Sequence, residues 1–148
     1  MFIIQTDKRL MDRIRFLDTK PVSWDLDVYC REFYRLPDLI TFIVDVGEYV
    51  VLPDIFVSPF PLVSETVMEL MELYRIQLPF RRVVLSVRSS KEYKRYFLVC
   101  PDDKTETIYR DFQLKRVLED TIQCTASLDF VESILRRGGR GIEIKGIR

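Results

Sequence analysis

Apolar and polar positions change their period along this chain, and each change marks an element. From Val63 to Val87 the sequence reads VSETVMELMELYRIQLPFRRVVLSV. Ser64 is placed to cap a helix, because its hydroxyl can accept a bond from an amide of the first turn. Val67, Leu70, Met71 and Tyr74 then recur at helical spacing, with Glu65, Glu69 and Glu72 on the opposite side. Pro79 is read as the stop, and Val83, Val84, Leu85 and Val87 as a buried strand. The chain closes on a second such unit. Ser127 caps a helix that buries Val131, Ile134 and Leu135, Gly138-Gly139 ends it, and a strand runs from Gly141 to Ile147. The two helices are expected to cover strands of one shared sheet.

The rest of the pattern is mixed. Phe2-Ile3-Ile4 reads as a short strand and Asp7 as a cap, after which Leu10, Met11, Ile14 and Leu17 keep a helical period. Val22, Trp24, Leu26, Val28 and Cys30 alternate with polar positions, which predicts a half-buried strand over 22–30. Leu39–Val46 is the most apolar run. Gly47-Glu48 behind it fits a tight turn, so 39–46 and 49–52 are expected to pair as a hairpin. Pro53, Pro59 and Pro61 hold the connector 53–62 extended. A second hairpin is predicted over 95–100 and 105–110, 112–120 is ambiguous between short helix and bent strand, and 122–125 is extended. The class is therefore α+β: a single domain over residues 1–148, with a mainly antiparallel or mixed sheet and the two serine-capped helix–strand units.

Composition narrows the chemistry. The 148 residues are 47% hydrophobic and 31% charged, which is globular. No uncharged run approaches the roughly 20 residues that a membrane helix needs, so no membrane role is expected. The apolar start precedes its charges, the reverse of a secretory signal, and a cytoplasmic location follows. Cys30, Cys100 and Cys124 are odd in number and widely spaced, as reduced core thiols are. There is no histidine, which removes the commonest general base and the usual triad partner. With no CxxC pair either, a zinc site is rejected, and no metal or cofactor is expected. The only glycine-rich loop, Gly138–Gly141, follows a helix, whereas a phosphate cradle precedes one. These readings point to a protein that is not an enzyme.

Charge is split unevenly. Residues 1–75 hold 8 Lys/Arg and 13 Asp/Glu, a balance of −5, and residues 76–148 hold 15 and 10, a balance of +5. Direct nucleic-acid binding is not expected, since no aromatic-studded basic stripe is present. The acids of the first half cluster with aromatics around Trp24. Either this is a solvated surface or Asp25, Asp27, Glu32, Asp38 and Glu48 form an acidic surface for a basic protein partner, with Tyr29 and Tyr34 as anchors.

The PDIFVS approach at Pro53–Ser58, the capped helix begun by Val63-Ser64-Glu65, and the terminal unit from Ser127 through Gly138 and Gly141 resemble immunity proteins of bacterial polymorphic toxin systems. The resemblance implies a small cytoplasmic antitoxin that binds and neutralises a cognate toxin domain without catalysis. It carries over no functional residue. An adaptor or accessory subunit docking through a sheet edge, and a small-ligand or enzyme domain using the acidic first half, are the alternatives that the residues leave open.

Overall fold

The computed structural model describes residues 1–103, 110–118 and 120–147, and among them it holds ten strands and four helices in two sheets. The elements are β1 (Phe2–Thr6), α1 (Lys8–Met11), β2 (Ile14–Asp18), α2 (Leu26–Glu32), β3 (Leu39–Val46), β4 (Ile55–Phe56), β5 (Leu62–Ser64), α3 (Glu65–Leu73), β6 (Phe80–Val87), β7 (Tyr93–Val99), β8 (Phe112–Leu118), β9 (Thr121–Ala126), α4 (Leu128–Arg136) and β10 (Ile142–Gly146). The class is α+β, with the sheets dominant.

Six strands lie in the order β2-β3-β6-β7-β5-β4, and four in the order β10-β1-β9-β8. Every pairing between these strands is antiparallel except β3 with β6. The parallel pair is possible because the long stretch between the two strands, including α3, acts as the crossover. The helix–strand units thus serve different sheets: β6 sits inside the six-stranded sheet, and β10 forms an edge of the four-stranded one. A single shared sheet is not what forms.

Two cores follow. One lies on a single face of the six-stranded sheet, where Ile40, Phe42, Val44, Val83, Leu85, Tyr96 and Leu98 meet Tyr29 and Phe33 of the α2 segment and Phe60 of the connector. The other joins the sheets: Ile55, Val63 and Val99 face Ile4, Leu114 and Cys124 across the buried sides of α3 and α4. The two helices touch directly, since the Tyr74 hydroxyl lies 2.7 Å from Ser133 Oγ and donates to the Asp129 carbonyl at 3.0 Å. Asp54 is the knot between them. Its carboxylate accepts Ser64 Oγ at 2.6 Å and the Arg140 amide at 2.7 Å, tying the start of α3 to the loop after α4.

Several expectations are corrected here. The helical period over Leu10–Leu17 gives only the short α1, capped by Asp7, and then β2, because Ile14 and Phe16 are needed where β2 pairs with β3. The stretch 22–30 is not a strand. Asp25 caps α2 instead, accepting the Val28 amide at 3.2 Å, and Leu26, Tyr29, Cys30 and Phe33 fall on one face at i, i+3, i+4 and i+7. Both periods are written in that stretch, and the side-chain capping decides. Residues 49–52 form no strand, since β3 has β2 and β6 as its neighbours. The connector holds the short pair β4–β5. Helix α3 ends at Leu73, with Tyr74 as its C-cap, well before Pro79, and Leu135 on α4 is 54% exposed. Of the expected 95–100/105–110 hairpin, residues 95–99 belong to β7, whose strand partners are β6 and β5, while 104–109 lie outside the described residues. Residues 112–118 are strand.

Candidate interaction surface

The acidic, aromatic residues singled out by sequence do not form one patch. Tyr29 is 3% exposed, and its hydroxyl donates to the Val99 carbonyl at 2.6 Å. Burial raises its phenol pKa. It is a core residue and not an anchor, because the helix turns it inward where an alternating strand would have turned it out. Asp25 is spent on the α2 cap, and the Asp27 carboxylate pairs with Arg116 of β8. These two acids share a cleft with Trp24, Ser58, Asp120 and Thr121. Trp24 is 63% exposed, and its indole N–H donates to Thr19 Oγ1 at 2.9 Å.

Glu32 and Tyr34 stand at the other end of α2, both exposed, with the Tyr34 ring edge-on to Phe33. Asp38 directly precedes β3, and its carbonyl accepts the Arg82 amide. Glu48 follows β3. Eight strand residues rise by roughly 25 Å, so Glu48 lies at the opposite end of the sheet from Asp38. The predicted residues are therefore scattered over the core and several separate parts of the surface.

The thiols are unreactive in character. Burial raises the pKa of Cys30, pushes Cys100 up to about 11, and also raises that of the fully buried Cys124. An activated nucleophile needs the opposite shift. Among the described residues no group of three or more His, Cys, Asp or Glu side chains is arranged to hold a metal ion, and no helix is long and apolar enough to cross a membrane.

The surface with the most unusual chemistry is the second face of the six-stranded sheet. Register places Leu39, Arg82, Phe97, Val63 and Ile55 in one row across β3, β6, β7, β5 and β4. The next row holds Thr41, Val84 and Arg95, and the next Ile43, Ser86 and Tyr93. Val63 and Ile55 are covered by α3 and the second core. Beyond β7 the cover stops. Leu39 is 61% exposed, Ile43 37% and Tyr93 69%. Phe80 is also exposed, in edge contact with Phe97 at 5.5 Å. A groove of about 740 Å³ runs between this floor and the flank of α3, which presents Glu65, Met68, Glu69 and Glu72.

Sequence reasoning treated those glutamates only as a solvent side. A usable signal was present in β3. Its run Leu39–Val46 carries Leu39 and Ile43, with Thr41 and Asp45, on the side away from Ile40, Phe42 and Val44, and the fold covers only the Ile40/Phe42/Val44 side. At positions 65, 69 and 72 the acids follow i, i+4 and i+7, which makes them one stripe along the groove.

Comparison of the chain with protein-family models, with curated proteins and with solved structures gives no match.

Proposed function

We propose that this chain is a non-enzymatic binding protein that neutralises a cognate bacterial toxin domain by covering part of it, the role implied by its resemblance to immunity proteins. One observation carries the reading. The open face of β3, β6 and β7 beside α3 exposes Leu39, Ile43, Phe80 and Tyr93 among Arg82, Ser86 and Arg95, and exposed apolar side chains gathered on one face in this way mark an interaction site. Aromatic and aliphatic anchors set among charged residues are the composition from which interface hot spots are built.

The test uses toxin domains encoded beside the gene for this chain, each co-expressed with it in a bacterial host. Growth is expected to be restored by the wild type and lost with Leu39→Glu, a substitution at an exposed position that leaves the core intact. If no neighbouring toxin is neutralised, the reading is wrong. The acidic cleft supplies a second reading, because Trp24 stands exposed beside Asp25 and Asp27. Loss of protection with Trp24→Ala but not with Leu39→Glu moves the interface there.

A further inference from the structure

The open face has a shape and a charge pattern that specify its occupant. We propose that it receives an amphipathic α-helix of the partner protein, laid alongside α3, basic along the edge that meets α3 and apolar beneath. This deepens the reading above and rests on it.

The floor is a face of the sheet and not an edge: β6 pairs along its length with β3 and β7, whose outer sides are paired by β2 over Ile43–Val46 and by β5 over Tyr96–Leu98. A partner can meet the floor only through side chains. Four strands from β7 to β2 span roughly 15 Å at the usual spacing of 4.7–4.9 Å. Helices pack roughly 8–10 Å apart, so one helix fits beside α3, centred over β6 and β3. Its length is set as well. Nine residues of α3 rise by roughly 14 Å, which matches about two and a half turns of a partner helix. Leu39, Val84, Phe97 and Met68 would receive side chains recurring at i, i+3, i+4 and i+7.

Charge fixes the orientation. Glu65, Glu69 and Glu72 line the α3 wall in one stripe. Glu72 makes no ion pair among the described residues. Glu65 reaches Arg95 only at 3.9 Å, and Glu69 meets Arg137 at 3.1 Å. Both of these are exposed pairs of the kind that contribute little, so the carboxylates remain available to lysines or arginines of a partner. Arg82 stands one strand further from α3, between Leu39 and Phe97. It calls for an acidic residue on the far edge of the incoming helix. Two copies of this chain meeting through the same groove would set acidic stripe against acidic stripe.

A display library of helical peptides of roughly 14 residues, randomised at the edge positions over an apolar i, i+3, i+4, i+7 face, tests this. Peptides selected on the wild type are expected to carry Lys or Arg along one edge. Their affinity should fall at least tenfold for Glu69→Lys/Glu72→Lys and for Leu39→Glu, and should weaken with added salt. Thermal melts of both variants verify the fold. Selection of acidic-edged helices, selection of none, or binding insensitive to these substitutions overturns the proposal. So does a self-associated wild type that Leu39→Glu renders monomeric. The outcomes separate from those of the functional test. Leu39→Glu abolishing neutralisation with no basic-edged helix selected leaves the surface and removes the helix. Helices bound at the groove with no toxin neutralised do the reverse.

Discussion

Helices α3 and α4 are built by the same local devices and end in different places. Each starts on a serine whose hydroxyl accepts the amide three residues on, Ser64 from Val67 at 3.4 Å and Ser127 from Phe130 at 3.2 Å. Each ends in a Schellman motif. The Ile76 amide reaches the Met71 carbonyl at 2.8 Å and Arg75 that of Glu72, while Gly139 reaches Ile134 at 3.0 Å and Gly138 that of Leu135. Beyond the cap they diverge. Phe80–Val87 enters the middle of the larger sheet, and Ile142–Gly146 lies on an edge of the smaller. The difference lies in the strands. Val83, Leu85 and Val87 fill the core face of β6, with Phe80 and Val84 adding apolar side chains on its other face, whereas Glu143 and Lys145 give β10 one polar face. Local capping fixes where a helix begins and stops; the hydrophobic balance of the next strand fixes where it goes.

The largest test of this contrast is how deeply each helix is held. Leu70 is buried in the core shared by both helices, and Leu70→Ala should cost about 2–5 kcal/mol. Leu135 of α4, which matches Glu72 when the serine caps are aligned, is exposed, and Leu135→Ala should cost well under 1 kcal/mol. Chemical denaturation of the two variants measures both. Equal losses would mean that Leu135 is not turned away from the core that holds Leu70.

Next in size is the link between the units. Asp54→Ala removes the acceptor for both Ser64 Oγ and the Arg140 amide, each a bond to a charged group. A loss of about 2–4 kcal/mol is expected. Ser64→Ala should cost less on its own. It should add little to Asp54→Ala, because the two side chains share one bond. A double-mutant cycle that shows strict additivity would mean that Asp54 does not act through the cap.

These features were unequally legible. Ser64, Ser127 and Asp7 were readable as caps because a short polar side chain before an apolar period has few other uses. The strand Leu39–Val46 was readable from its apolar run. Its neighbours were not, since pairing with β2 and β6 is decided by contacts far away in sequence. Val22–Cys30 fits two periods at once, and the Asp25 cap chooses helix, which carries Tyr29 inward and dissolves the expected acidic, aromatic patch. The groove beside α3 was only half written. Its acidic stripe and the outward Leu39 and Ile43 of β3 are both visible in sequence, but their juxtaposition exists only after α3 stops short at β7.

The remaining tests concern the helix ends. Gly138 holds φ +74°, a left-handed conformation that a β-carbon opposes. Gly138→Ala should destabilise by about 1 kcal/mol, which is roughly 2–4 °C in Tm for a domain of this size. No steric clash accompanies it, since nothing lies within 4 Å of the added atom. The cost is therefore a backbone cost alone.

The same position in α3 is occupied by Arg75, at φ +56°. No glycine marks this end, which is why Pro79 looked like the stop. If the motif and not the residue sets the boundary, Arg75→Gly should have the opposite sign from Gly138→Ala. It relieves a strain of about 1–2 kcal/mol. Against this, a freer unfolded chain takes back about 0.4–1 kcal/mol. The net is a stabilisation of between about 0 and 1.6 kcal/mol, read as a Tm rise of up to a few degrees. Arg75→Ala separates the backbone from the side chain, because alanine keeps the β-carbon and should leave Tm close to that of the wild type. A fall in Tm with Arg75→Gly, or a gain of the same size with Arg75→Ala, would show that the guanidinium and not the left-handed backbone governs this end, and that the two helices do not stop by the same device.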